Sequence, residues 1–323
     1  MSLFSLNCLG LDIGEFSIKL AFFKKNRLFY LSERFKTPHP SKKVIVDTIL
    51  NGLAKLNYKE KEKFVVTSLK GEAVSLRFVT LPLMSKSKLL NVLRLEIDKY
   101  LPFKREETIF DVEILKKEKQ KMVVLIAGTK NFIIEERLSI IKEIGLEPYL
   151  ITTDSLALVE AFKRSELYKT ETVALLDVGY SLSKLILIEK GIPFFSREIK
   201  IGDSQFLASL CERFNIDEER AQELKKEVAF NSKEVELVLQ RDFKKLAEEI
   251  QICFDYCEYS FKKTPAFLCI SGGGAKFSFL KNFFSQYFNF PVYEWDLLEK
   301  FKIQSSHDKF LFNTAIGLAL LGK

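Results

Sequence analysis

The sequence predicts a duplicated α/β fold in which two similar domains face each other across a cleft, and three observations carry that prediction. A stretch near the N-terminus recurs half a chain later, a glycine run follows an apolar strand near residue 270, and 323 residues amount to about two domains. With 47% AVILMFWYC, 13% aromatic and 29% charged residues, the chain has material for sizeable cores and lacks the profile of a disordered one.

The repeat is the most informative feature. Residues 9–30, LGLDIGEFSIKLAFFKKNRLFY, align without a gap on residues 174–195, ALLDVGYSLSKLILIEKGIPFF, at an offset of 165. Asp12 falls on Asp177, Gly14 on Gly179 and Lys19 on Lys184. Each copy reads as an apolar strand ending in Asp-x-Gly, a tight turn, a second strand, a short polar turn and a third strand. One Asp-x-Gly alone is ordinary turn chemistry. Two in the same context, half a chain apart, predict turns whose backbone N–H groups face a shared cleft. Such a cleft suits a polyphosphate, with Asp12 and Asp177 holding hydrated Mg²⁺.

The remaining elements follow in order. After the first three strands, the pattern predicts a helix over Ser41–Leu56 and a strand over Phe64–Ser68. A block at 72–152 then reads strand (Ala73–Leu81), helix (Ser85–Tyr100), strands (Ile109–Leu115, Met122–Thr129), helix (Asn131–Ile144) and a strand around Pro148–Thr152. It has no glycine-rich phosphate loop and reads as an insertion. Residues 171–210 repeat the first strands, and 216–262 carry apolar residues at helical spacing among charges, predicting a helical subdomain. In AFLCISGGGA an apolar strand runs into Gly272, Gly273 and Gly274, followed by a helical pattern; bare backbone there lets a base or ribose lie flat. A helix over 308–321 closes the chain. The expected domains are 1–170 with 306–323, and 171–305.

Charge and cysteine usage exclude other classes. The net charge of +7 comes from scattered lysine pairs with acidic neighbours, so no nucleic-acid stripe is expected, although a mild attraction to anionic lipid fits. No apolar run approaches the ~20 residues of a membrane span, and MSLFSLNCLGLDIG lacks the basic start and cleavage site of a signal peptide. A cytoplasmic location is expected. Five cysteines, mostly in apolar segments, fit buried thiols rather than disulfides. Cys253 and Cys257 share a helix face, but both histidines lie in unrelated segments, which argues against zinc.

These motifs resemble the actin/Hsp70/FtsA superfamily of actin-like ATPases over nearly the whole chain, and more closely its PilM-type branch from type IV pilus assembly. LGLDIGEFSIKL and ALLDVGYSLSKLIL look like the two phosphate loops, SGGGAKFSFL like the adenosine loop and FNTAIGLAL like the closing helix. FVTLPLMSKSKLLNVLRLEIDKYLPFKREETIFDVEIL, SREIKIGDSQF and DEERAQELKKE are similar to further PilM-type stretches. The resemblance implies two RNase H-like domains around a nucleotide cleft, with an FtsA-like inserted interaction subdomain. It implies ATP and Mg²⁺ as ligands, with metal at Asp12 and Asp177. Along the phosphates it places Gly14, Glu15, Phe16, Ser17, Lys19, Gly179, Tyr180 and Ser181; on the nucleoside side it places Gln222, Lys225, Gly272, Gly273 and Gly274; and it counts Gly202 and Lys276 among the nucleotide-binding residues.

Glu15 and Gln222 depart from the family pattern, since relatives carry a small hydroxyl residue and Glu there. Asp203 follows Gly202 where a second small residue is favoured. No water-orienting group is identifiable; Asp154 and Glu160 are candidates that read equally well as helix-start and helix-surface residues. Weak or absent hydrolysis is expected. The implied partner is the cytoplasmic tail of a PilN-like inner-membrane protein, gripped by Leu81, Pro82, Leu83, Met84, Leu101, Pro102 and Phe103. That partner would hold the protein at the inner membrane, and self-association is open. The alternatives are an active sugar or acyl kinase or phosphatase-like enzyme of the same fold, for which no convincing catalytic pair is found, and an FtsA-like or GspL-like scaffold. Those scaffolds would carry an amphipathic anchor or a transmembrane segment after the actin-like region.

Overall fold

The structure, a computed structural model, describes residues 8–58, 63–165, 172–225, 233–303 and 310–323. The chain opens as a meander of β1 (Leu9–Ile13), β2 (Ser17–Lys24) and β3 (Arg27–Arg34), followed by α1 (Lys42–Lys55) and β4 (Phe64–Leu69), which lies parallel to β1. The β2–β3 turn puts Lys25 and Asn26 both at positive φ, the geometry whose twist matches the flanking strands. Helix α1 starts at Ser41, whose hydroxyl accepts from the Val44 N–H.

The inserted block holds β5 (Val74–Pro82), α2 (Lys86–Glu96), β6 (Thr108–Lys117) and β7 (Lys121–Lys130), an antiparallel sheet of order β5-β7-β6. Helix α2 stops at Glu96 and tightens into a 3₁₀ turn over Ile97–Lys99, earlier than the sequence pattern indicates. Leu89, Leu93 and Ile97 seal one face of the sheet against Val112, Met122, Val124 and Ile126.

The first sheet is then completed by α3 (Asn131–Glu143) and β8 (Glu147–Thr153), giving the order β3-β2-β1-β4-β8. Helix α4 (Asp154–Phe162), capped by the Thr153 hydroxyl, leads to the second half. There β9 (Thr172–Val178), β10 (Ser183–Glu189) and β11 (Ile192–Ile199) repeat the meander, with Lys190 and Gly191 at positive φ in the equivalent turn. Helices α5 (Asp203–Phe214), α6 (Glu218–Leu224) and α7 (Lys233–Phe261) precede β12 (Phe267–Ser271), α8 (Ser278–Phe288), β13 (Val292–Glu294) and α9 (Asn313–Leu321). The second sheet has the order β11-β10-β9-β12-β13, the same layout as the first. Of the closing helix expected over 308–321, residues 308 and 309 lie outside the described residues, as do 226–232 of the helical subdomain.

Five layers result. Helices α1 and α3 cover the outer face of the first sheet, and α5, α7 and α8 cover that of the second. Between the sheets lie α4 and α9, packed against Ala21 and Phe23 on one side and Val173, Leu175, Ile186 and Cys269 on the other. Every residue of α9 from Asn313 to Leu320 is buried, as befits a helix apolar all round. The layer is tight: a Cβ on Gly317 would stand 1.9 Å from the Ala157 carbonyl oxygen, and one on Gly10 2.1 Å from that of Ala315. Cys253, Cys257 and Cys269 are buried free thiols, each pushed upward by burial, the last two to about 12. Among the described residues no helix is long and apolar enough to cross a membrane.

Candidate nucleotide cleft and partner groove

Pairing across each hairpin sets Asp12 opposite Lys19 and Asp177 opposite Lys184, so the repeat delivers the same acid–base couple from both sheets into one cleft of about 560 Å³. The expected residues Asp12, Gly14, Glu15, Phe16, Ser17, Lys19, Asp177, Gly179, Tyr180, Gln222, Lys225, Gly272, Gly273 and Lys276 line it. Lys70, Asp154, Lys184 and Glu198 join them.

Both Asp-x-Gly turns close on themselves. The Gly14 N–H donates to the Ser17 carbonyl and the Gly179 N–H to that of Leu182, each at 2.9 Å. A Cβ would lie 2.8 Å and 2.7 Å from those same oxygens. These glycines shape the turns, and their own amides are spent there instead of facing a ligand.

The two halves treat their carboxylates differently. Lys70 donates to Asp12 Oδ1 at 2.6 Å, and Lys19 Nζ lies 3.6 Å from Oδ2. Burial opposes the charge on Asp12, but Lys70 and Lys19 outweigh it and hold the carboxyl down to about 2. Asp177 has no ion pair among the described residues; burial, then the neighbouring Asp154, push it up to about 6. Its register partner Lys184 points instead to Asp154 and, at 3.0 Å, to Glu198. Burial works against the Lys184 ammonium, and these two carboxylates raise it overall.

At the cleft mouth the halves touch. The Ser181 hydroxyl donates to Glu15 at 2.7 and 2.6 Å from its two oxygens, and the Phe16 and Tyr180 rings stack 5.2 Å apart at 12°. Arg34 sits 5.8 Å over Phe16, and the Tyr180 hydroxyl donates to Glu218 at 2.8 Å. Gly202 heads α5 beneath this contact, with no room for a Cβ against the Tyr180 carbonyl.

At the far end Gly272 adopts φ +90°, where a side chain would also meet the Val178 carbonyl at 2.5 Å. Gly274 is packed against Val178, so of the three glycines Gly273 presents the open backbone. Lys225 donates to the Gly273 carbonyl at 2.8 Å, pairs with Asp203, and lies 4.5 Å over the Phe277 ring. Burial lowers the Lys225 ammonium against the pull of Asp203. Gln222, also buried, lines the same wall.

The residues expected to grip a peptide lie in and around the inserted sheet's own core. Leu101 is buried in the core of the inserted sheet, with Leu81, Met84 and Phe103 packed against it, while Pro82, Leu83 and Pro102 are exposed. None of the seven lines the groove of about 650 Å³ between that sheet and the first domain. Ile109, Leu115, Leu125, Ala127, Leu150 and Leu156 are among its apolar lining residues, and Ile192 and Pro193 join them from the second half. Strands β6 and β8, each at the edge of its sheet, both contribute to it. Alternation along β6 shows that one face is apolar but not which face is left open; that signal was missing.

Comparison with known proteins agrees with the architecture. Residues 10–323 match the family model described as type IV pilus assembly protein PilM. Over 98% of this chain and 99% of the other, the structure resembles a PilM-PilN type IV pilus biogenesis complex at 20% identity and TM-score 0.86. The ethanolamine utilization protein EutJ from Carboxydothermus hydrogenoformans follows at 16% identity, TM-score 0.61, covering 97% and 89%. MreB5 of Spiroplasma citri bound to ADP is similar at 11% identity, TM-score 0.53, covering 91% and 94%.

Proposed function

Since the chain belongs to the PilM family of type IV pilus assembly proteins, we propose that it is an actin-like adaptor that binds Mg·ATP in the cleft and the cytoplasmic tail of a PilN-like membrane protein in the groove. The single observation that carries this reading is the convergence of two equivalent Asp-x-Gly hairpins on one cleft. The partner follows from the resemblance to the PilM-PilN complex and from the groove's apolar lining.

The donor set fits the ligands. Lys19 and Lys70 supply positive charge for phosphates, and Gly273 supplies bare backbone beside Gln222 for the nucleoside. Asp12 and Asp177 would hold the metal through water. The Asp177 carboxyl, raised first by burial and then by Asp154, is the kind of group whose charged form a divalent cation would favour. Magnesium there would neutralise phosphate charge.

Turnover is expected to be negligible. Asp154 is held by Lys184 and by the Ser155 N–H, and Glu160 pairs with Lys163 and Arg164 beside the other groove. Neither is free to orient water, so the nucleotide acts as a conformational ligand.

Calorimetric titration of Mg·ATP and of a tail peptide tests the reading. Asp12→Asn should weaken ATP at least tenfold while sparing the peptide. Ile109→Arg, an exposed position, should abolish peptide binding while sparing ATP. Absence of both titrations in the wild-type protein would reject the reading.

A further inference from the structure

The β6–β7 hairpin tip ends in KKEKQK, with Lys116, Lys117, Lys119 and Lys121 all exposed around Glu118. Glu118 lies 3.1 Å from Lys116 and 3.4 Å from Lys121, so one carboxylate serves two of the lysines. Lys117 and Lys119 carry no ion pair among the described residues. The chain entering α2 folds back against this tip: the Leu83 N–H donates to the Gln120 carbonyl at 3.0 Å, and Pro82 pairs with Lys121. Leu83 is 46% exposed there, and Lys86 and Lys88 follow it on the surface. An exposed leucine beside a tip whose lysines outnumber their one carboxylate has the chemistry of an interfacial membrane contact, in which cations meet anionic headgroups and the apolar side chain enters the acyl boundary.

Position supplies the second argument. The groove lining runs along β6 from Ile109 to Leu115, and the next residues of the same strand are Lys116 and Lys117. A tail lying in the groove therefore reaches this tip at one end. If that tail belongs to a membrane protein, as proposed above, the bilayer surface is near.

We propose that the Lys116–Lys121 hairpin, with Leu83, docks on anionic phospholipid and orients the inserted subdomain at the membrane. The full chain should co-sediment with phosphatidylcholine vesicles containing phosphatidylglycerol and not with phosphatidylcholine alone, and the bound fraction should fall steeply between 50 and 300 mM salt, roughly the range over which screening shortens from ~14 to ~6 Å. Lys116→Glu/Lys117→Glu/Lys119→Glu should lower partitioning at least tenfold, and Leu83→Ser severalfold. Lys244→Glu/Lys245→Glu, on exposed positions of α7, should have little effect.

Equal loss in the α7 variant would overturn the proposal in favour of overall charge, as would equal binding to neutral vesicles. Hairpin-dependent binding to an oligonucleotide without vesicle binding would also overturn it. Tail-peptide titration keeps the two readings apart: in the hairpin variant, retained peptide affinity with lost vesicle binding supports both, whereas in the wild-type protein, failed vesicle binding with intact peptide binding rejects the lipid contact alone.

Discussion

Ser181 of the second Asp-x-Gly hairpin donates its hydroxyl to the Glu15 carboxylate of the first, spanning 166 positions of sequence and the mouth of the cleft. Together with the Phe16–Tyr180 stack it ties the two halves where a phosphate chain would have to pass.

The closed tie should cost nucleotide affinity, because it must open to admit the phosphates. A hydrogen bond to a charged group contributes about 1.5–3 kcal/mol net, so Glu15→Ala, which removes both bond and negative charge, should tighten Mg·ATP about tenfold. Ser181→Ala keeps the carboxylate and should tighten it less. Calorimetry on both variants checks the order.

Lys184 neutralises two carboxylates in a buried site. Lys184→Met should lower stability by roughly 3–5 kcal/mol, because Asp154 and Glu198 are left without their cation. Adding Asp154→Asn to that background should restore part of the loss, a coupling measurable by urea denaturation of the two single variants and the double.

Asp177 is linked to pH with the opposite sign to Asp12. Its folded carboxyl, at about 6, lies above the ordinary 3.8, so ionisation weakens the fold: stability is fully present below 3.8 and is lost as pH rises through 6. Asp177→Asn should therefore stabilise the protein by up to about 3 kcal/mol at pH 7 and by almost nothing near pH 4. Asp12, held at about 2, contributes stability that is present above 3.8 and lost as pH falls toward 2. Denaturation midpoints of wild type and the Asp177 variant between pH 4 and 7 read the difference.

Gly317→Ala places a methyl group 1.9 Å from the Ala157 carbonyl. Helix α9 must then shift from α4, and overpacking of this kind costs about 1–3 kcal/mol. A lower urea midpoint with retained secondary structure is the expected result.

How much of this was legible in sequence depends on distance along the chain. The two meanders, the turns at Lys25–Asn26 and Lys190–Gly191, and the facing of Asp12 and Asp177 follow from a gapless repeat, because strand pairing is local there. Lys19 and Lys184 share a register position, yet Lys19 stays beside its Asp whereas Lys184 turns to Asp154 and Glu198. Tertiary neighbours decide that, and a repeat does not contain them. Lys70 reaches Asp12 from the end of β4 with nothing in its surroundings to mark it. The apolar character of Leu81, Met84, Leu101 and Phe103 did not mark a peptide site in sequence, because these residues serve the inserted sheet's own core.

Helix α9, wedged between α4 and the first sheet, also sets an order of events during synthesis. Gly10 in β1 finds its packing partner Ala315 only after the roughly 300 residues between them have left the ribosome, on the order of tens of seconds later at ~5–20 residues per second. The N-terminal half cannot finish its core as an early, independent unit, and its apolar inner surface must wait until α9 has been made. Chains that stop before α9 has been made should accordingly be treated by chaperones and proteases as unfinished.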